Sequence, residues 1–196
     1  TISVYVETYG YVKSRCVWFY NGNDMFRDYI NSLKLTVTEE MYKRHDEEYA
    51  GPKSTYSSRA NMDSEYLEDN IIENVDEAIR FTGPRKFLAD VSYRNMKIDF
   101  KEIATQWYHV KHPTSRYLNA FKEQKLTHFL FFRSNRPRNN QMEYRKTGDY
   151  YAVIPVGFEL QYEYLGCYDV MQVLNHYNPE WKNVRIQTLQ EKYGTI

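Results

Sequence analysis

No stretch of this chain approaches the roughly 18 consecutive apolar residues that a membrane-spanning helix needs, and no membrane association is expected. The opening residues TISVYVETYG lack both a basic flank and a continuous apolar core, so they do not read as a secretory signal. Cys16 and Cys167 are the only cysteines. Two such distant thiols make neither a disulfide framework nor a zinc site, and both are expected to be reduced in a cytoplasmic protein. The five histidines are scattered; His109 and His112 stand close, but no matching third ligand accompanies them. A glycine-rich phosphate loop and a GxSxG nucleophile elbow are missing, as are internal repeats and low-complexity tracts. Even net charge is lacking, because 26 basic and 26 acidic residues cancel.

That cancellation hides an asymmetry. Residues 39–80 hold 12 acids against 5 bases, whereas residues 101–146 hold 10 bases against 3 acids. Two solvated faces of opposite sign would explain this. So would a basic surface for a phosphate backbone beside an acidic, metal-binding region. Tyrosine is abundant at 20 residues. Its ring can stack on bases or fill a core, and abundance alone does not choose. A hydrophobic share of 42% in 196 residues suits one well-packed domain, with room for a small appendage.

Along the chain, residues 2–20 read as two strands, closed by the turn signal Asn21-Gly22. Asp24 can cap a helix over 25–33, and Thr38 one that fades near residue 49. The small, polar residues 51–61 read as an exposed loop and as the boundary between an appendage and the main body. A helix follows over 63–81, its apolar residues Leu67, Ile71, Ile72, Val75, Ala78 and Ile79 at helical spacing. Residues 86–93 and 96–104 form a hairpin about Arg94-Asn95, and residues 113–124 suit a helix. The apolar run 128–132 has the character of a buried central strand. Residues 133–149 read as a basic loop, 150–158 as an edge strand and 169–176 as a short helix. From 179 onward the chain reads as a polar tail. This order predicts an α/β (α+β) fold, a mixed sheet flanked by helices.

The chemistry concentrates in KFLADVSYRNMKIDFKEI, residues 86–103. Residues i and i+2 of a strand share a face, so Asp99 and Lys101 point one way while Phe100 points into the core. The turn at Arg94-Asn95 returns Asp90 to the level of Asp99. Two carboxylates and a lysine thus converge at one end of a hairpin. Hard oxygen ligands suit Mg²⁺, which polarises phosphoryl oxygens and acidifies bound water. The lysine can orient or deprotonate that water, or stabilise developing charge. On the helix over 63–81, at about 100° per residue, Glu68 falls inside the apolar face, whereas Glu73, Asp76 and Glu77 fall outside. A carboxylate facing the sheet is costly unless it is paired or binds a cation, so Glu68 is a candidate third ligand; pairing with an arginine is the alternative.

The pattern of Asp90, then Asp99-Phe100-Lys101, resembles the signature of the PD-(D/E)XK nucleases, with Ala89 standing where that signature has proline. The resemblance implies a restriction-endonuclease-like core in the order helix, strand, strand, strand, helix, strand. It covers about 70 residues, of which only two of the first three strands are legible here. The resemblance says little about the first 50 residues; it is the loop over 51–61 that divides the chain into an N-terminal hairpin-and-helix appendage (1–60), a candidate for DNA binding or dimerisation, and a nuclease-like core (61–196). The resemblance implies an endonuclease that hydrolyses phosphodiester bonds in double-stranded DNA, commonly as a homodimer. Asp90, Asp99 and Glu68 would hold Mg²⁺, replaceable by Mn²⁺, and Lys101 would assist the water. Gln106, Tyr108, Lys111 and Arg116 follow Lys101, where the family often places polar or basic residues that contact phosphates. The cluster of Arg133, Arg136, Arg138, Arg145 and Lys146 after the central strand reads, from its own chemistry, either as a DNA-contacting loop or as a merely solvated one. Two other classes compete: a non-catalytic nucleic-acid- or protein-binding module on the same fold, and a structural or inhibitory protein whose hairpin charges are incidental.

Overall fold

The computed structural model describes residues 22–49, 62–80, 89–148 and 150–195. The expected strands over 2–20, the loop over 51–61, Cys16 and the first part of the 86–93 strand lie outside them. In chain order the elements are α1 (Gly22–Ser32), β1 (Lys34–Thr36), α2 (Glu39–Tyr49), α3 (Met62–Asn74), β2 (Ala78–Arg80), β3 (Val91–Tyr93), β4 (Met96–Glu102) and β5 (Trp107–His109). Then follow α4 (Thr114–Lys122), β6 (His128–Ser134), α5 (Gln141–Thr147), β7 (Glu159–Asp169), α6 (Val170–Leu174), β8 (Asn183–Arg185) and α7 (Ile186–Tyr193). Among the described residues, no helix is long and apolar enough to cross a membrane.

Six strands form one mixed sheet in the order β1-β7-β6-β4-β3-β2, and β5 pairs with β8 in a separate ribbon. Strand β6 lies inside the sheet because both its faces are apolar. Leu130 and Phe132 enter a cluster with Phe26, Ile30, Leu67, Ile71, Ile98 and Phe100. Phe129 and Phe131 enter another with Tyr108, Tyr117, Leu165, Val173 and Leu189. The connection through α4 returns the chain in the same direction, so β4 and β6 are parallel, while β2, β3 and β4 form an antiparallel meander. Arg94 turns the β3–β4 hairpin with a left-handed φ of 51°.

Strand β7 changes faces part-way. Phe131 faces Gly166 but Phe132 faces Tyr164, which leaves Leu165 as the extra residue of a bulge. Leu160, Tyr162 and Tyr164 therefore serve the first cluster, and Leu165 and Tyr168 the second. Gly166 has φ 131°, and a Cβ there would strike the ring and hydroxyl of Tyr168, which donates to the Gly194 carbonyl at 2.9 Å. Glycine meets both the backbone and the space requirement.

Several expectations need correction. The helix over 63–81 stops at Asn74, and Ala78–Arg80 form β2, the third strand of the meander. Glu77 adopts a positive φ at the break, and Ile79 is exposed rather than part of a helical core face. The loop expected over 133–149 contains α5, capped by the Asn140 side chain and closed by left-handed Gly148. The strand expected over 150–158 is replaced by β7 from Glu159. The supposed tail contributes β8 and α7 and buries Val184, Ile186 and Leu189. On the N-terminal side of the expected boundary at residue 60, Phe26, Ile30, Val37 and Tyr42 share a core with Leu67 and Ile71, and β1 is an edge of the same sheet.

Candidate active site

Strand alternation divides β4. Ile98 and Phe100 pack with α3, while Asp99 and Lys101 stand on the opposite face beside Phe129 and Phe131, their partners in the parallel register. Lys101 Nζ donates to Asp99 Oδ1 at 2.7 Å. Asp90 immediately precedes β3, and its backbone N–H donates to the Ile98 carbonyl at 2.8 Å. Its carboxylate turns back across the hairpin, where Oδ2 accepts the Phe100 N–H at 2.9 Å. That places it within hydrogen-bond reach of the Asp99 carboxyl. The convergence of Asp90, Asp99 and Lys101 expected from the hairpin is thus present in the fold.

An aromatic layer covers this face. Tyr108 lies 5.7 and 5.2 Å, centroid to centroid, from Phe129 and Phe131. Tyr117 of α4 lies 5.3 Å from Phe129, and the two tyrosine hydroxyls are 3.4 Å apart. Burial against these rings pushes the Asp99 carboxyl up to about 7, and Asp90 adds to the shift while Lys101 opposes it. For Lys101, burial favours the neutral amine, but the Asp99 and Asp90 carboxylates outweigh it and hold the ammonium above its usual value. Burial, with Tyr117 beside it, raises the Tyr108 phenol as well.

Glu68 is not gathered into this group. It is buried on α3, with Oε2 3.8 Å from Nη1 of Arg80, which also bonds Asp69. Among the described residues, no three His, Cys, Asp or Glu side chains stand close enough to hold a metal ion by themselves. Two adjoining carboxylates, Asp99 buried and Asp90 half-buried, do fit Mg²⁺, which is held through one or two carboxylates and takes its other ligands from water and phosphate. Asp90 and Asp99 would supply those protein ligands.

The expected nucleic-acid contacts separate into four kinds. Lys111 and Arg116 are exposed and close to the site: with Lys101 they hold the His112 imidazole below its usual value, an effect led by desolvation. Arg138 and Arg145 are exposed on the basic segment, Arg138 with its guanidinium 5.9 Å from the Tyr150 ring centroid. Arg133 is engaged, bonding Glu163 at 2.9 Å and the Thr105 carbonyl at 3.3 Å. Arg136 requires correction. Its side chain is fully buried and bonds the Ala152 carbonyl at 2.8 Å, so it anchors the loop and does not reach a phosphate.

A cleft of about 680 Å³ opens beside Lys101. Its lining includes Glu102 of β4, Trp107 and Tyr108 of β5, Lys111 just beyond it, Tyr144 of α5, and Tyr150 and Tyr151 after that helix. Sequence reading missed most of these aromatics, because β5 and the segments flanking α5 meet only in the folded chain. The Tyr150-Tyr151 pair after a basic stretch was the one local signal. No family model, curated protein or solved structure matches this chain.

Proposed function

We propose that this chain is a Mg²⁺-dependent nuclease of the PD-(D/E)XK kind that hydrolyses phosphodiester bonds in DNA. The observation that carries the reading is the meeting of Asp90, Asp99 and Lys101 on one face of the β3–β4 hairpin. Supporting it, α3, β2, β3, β4, α4 and β6 follow one another in the order that the resemblance implies, with only β5 intervening as part of another ribbon.

Asp90 and Asp99 would hold the ion, which neutralises phosphoryl charge and acidifies a bound water. Burial beside Phe129 and the neighbouring Asp90 charge raise the energy of the Asp99 carboxylate, so a cation there relieves a cost that the fold has already built in. Lys101 remains protonated at neutral pH. Its suitable role is therefore to orient the water and stabilise charge developing on the phosphate, rather than to abstract a proton. Lys111 and Arg116 add positive potential where the substrate backbone would approach.

Cleavage of plasmid, linear and single-stranded DNA with Mg²⁺, Mn²⁺ or EDTA tests this reading. Metal-dependent cutting by the wild type, lost in Asp99→Ala and Lys101→Ala, is the expected result. A folded wild type that cuts neither DNA nor RNA with either metal would overturn it. The aromatic cleft needs no chemistry to be useful and favours the second reading, a nucleic-acid-binding module without catalysis.

A further inference from the structure

We infer that the cleft beside Lys101 binds an unpaired stretch of nucleic acid, with bases stacked on its aromatic walls. Trp107, Tyr144 and Tyr150 are 37%, 46% and 39% exposed, although all three line the same cleft. Each ring has a cation or another ring beside it. Arg185 lies 6.0 Å from the Trp107 ring centroid and Arg138 5.9 Å from that of Tyr150. Tyr144 and Tyr150 meet edge to face at 5.9 Å. The rings are thereby held in place while remaining accessible. Lys101 and Lys111 lie in the same lining and can follow a phosphate backbone.

This combination distinguishes a single strand from a duplex. Duplex binding needs cations for phosphates and polar groups for base edges, and paired bases hide their faces within the stack. An accessible tryptophan and two accessible tyrosines lining one cleft become useful when bases are unpaired, because each base then offers a face for stacking. The space is also of the size that encloses ligands, about 300–1,000 Å³. The binding claim stands apart from catalysis. The inference that the nuclease cuts single-stranded or frayed substrate rests on the proposed function.

Fluorescence anisotropy in EDTA, with labelled 20-nucleotide single-stranded DNA, single-stranded RNA and the corresponding DNA duplex, tests it. Wild type should bind at least one single strand more tightly than the duplex. Trp107→Ala and Tyr150→Ala should each weaken that binding about tenfold, as expected for loss of one base stack. Trp181→Ala, which removes an exposed ring outside the cleft lining, should leave it unchanged. All variants should keep the wild-type melting temperature. Duplex binding as tight as single-strand binding would overturn the inference, and so would equal losses for Trp181→Ala and Trp107→Ala. Single-strand binding without cleavage in Mg²⁺ would remove the nuclease and leave the cleft. Metal-dependent duplex cutting without a single-strand preference would do the reverse.

Discussion

Strand β4 carries two acid–base pairs, one on each face, and they are built differently. Glu102 accepts the Ser134 hydroxyl at 2.8 Å and lies 3.9 Å from Arg136. Arg136 in turn bonds the Ala152 carbonyl and lies 4.5 Å over the Tyr151 ring centroid. Asp99 has Lys101 at 2.7 Å, but it also has Asp90 close by and an aromatic wall that raises its carboxyl to about 7. The first arrangement sets one acid beside one base, each held by a hydrogen bond to a third group, and ties a loop to the sheet. The second places two carboxyl groups against one ammonium, and the proton that Asp99 keeps up to about pH 7 stands where a cation could take its place. Buried opposite charges alone do not mark a site; the unbalanced set does.

The largest effects should separate the pairs by what each variant loses. Lys101→Ala should reduce metal-dependent cleavage by roughly 10²–10³-fold while retaining the fold; full activity in that variant would remove Lys101 from the chemistry. Arg136→Ala should show its main effect in urea denaturation, a loss of about 1–3 kcal/mol, because the hydrogen bond to the Ala152 carbonyl is lost and that acceptor is left without its donor. If Arg136→Ala unfolds at the wild-type midpoint, the structural role assigned to that pair is wrong.

A subtler difference concerns protons. The folded chain holds the Asp99 proton up to about pH 7, whereas an unfolded aspartate releases it near pH 4, at about 3.9. Between those values the folded state binds more protons, so this group's contribution to stability falls as pH rises and levels off above 7. Carboxyl NMR titration should find Asp99 near 7, higher in Lys101→Met and lower in Asp90→Asn. A value near 4 in all three proteins would show that the site is better solvated than its geometry implies. The smallest expected effect is stabilisation by Mg²⁺, about 1.4 kcal/mol at ten times its dissociation constant. It should be visible as a raised melting temperature in wild type and absent in Asp99→Ala; an equal rise in both would place the ion elsewhere.

The candidate site was partly legible because it is local. Asp90, Asp99 and Lys101 lie within twelve residues, and a strand period of two with one tight turn suffices to bring them together. The run 128–132 likewise announced an inner strand, since residues apolar on both faces have few other places to go. Strand β2 was hidden because Val75, Ala78 and Ile79 continue the helical spacing of α3, while the break depends on the Glu77 conformation and on pairing with β3. The alternation Leu160, Tyr162, Tyr164 could have revealed β7, but the bulge at Leu165 reverses its faces. Arg136 looked like its exposed neighbours because burial is invisible in a run of basic residues.

By itself the sequence determined the carboxylate–lysine hairpin, the inner strand and the segregation of charge, because each rests on near neighbours and a simple period. Tertiary structure alone decided that Glu68 meets Arg80, that Arg136 is buried, and that Trp107, Tyr144 and Tyr150 share a cleft. Those outcomes depend on which distant segments the sheet brings together, and long-range packing leaves no periodic trace in the chain.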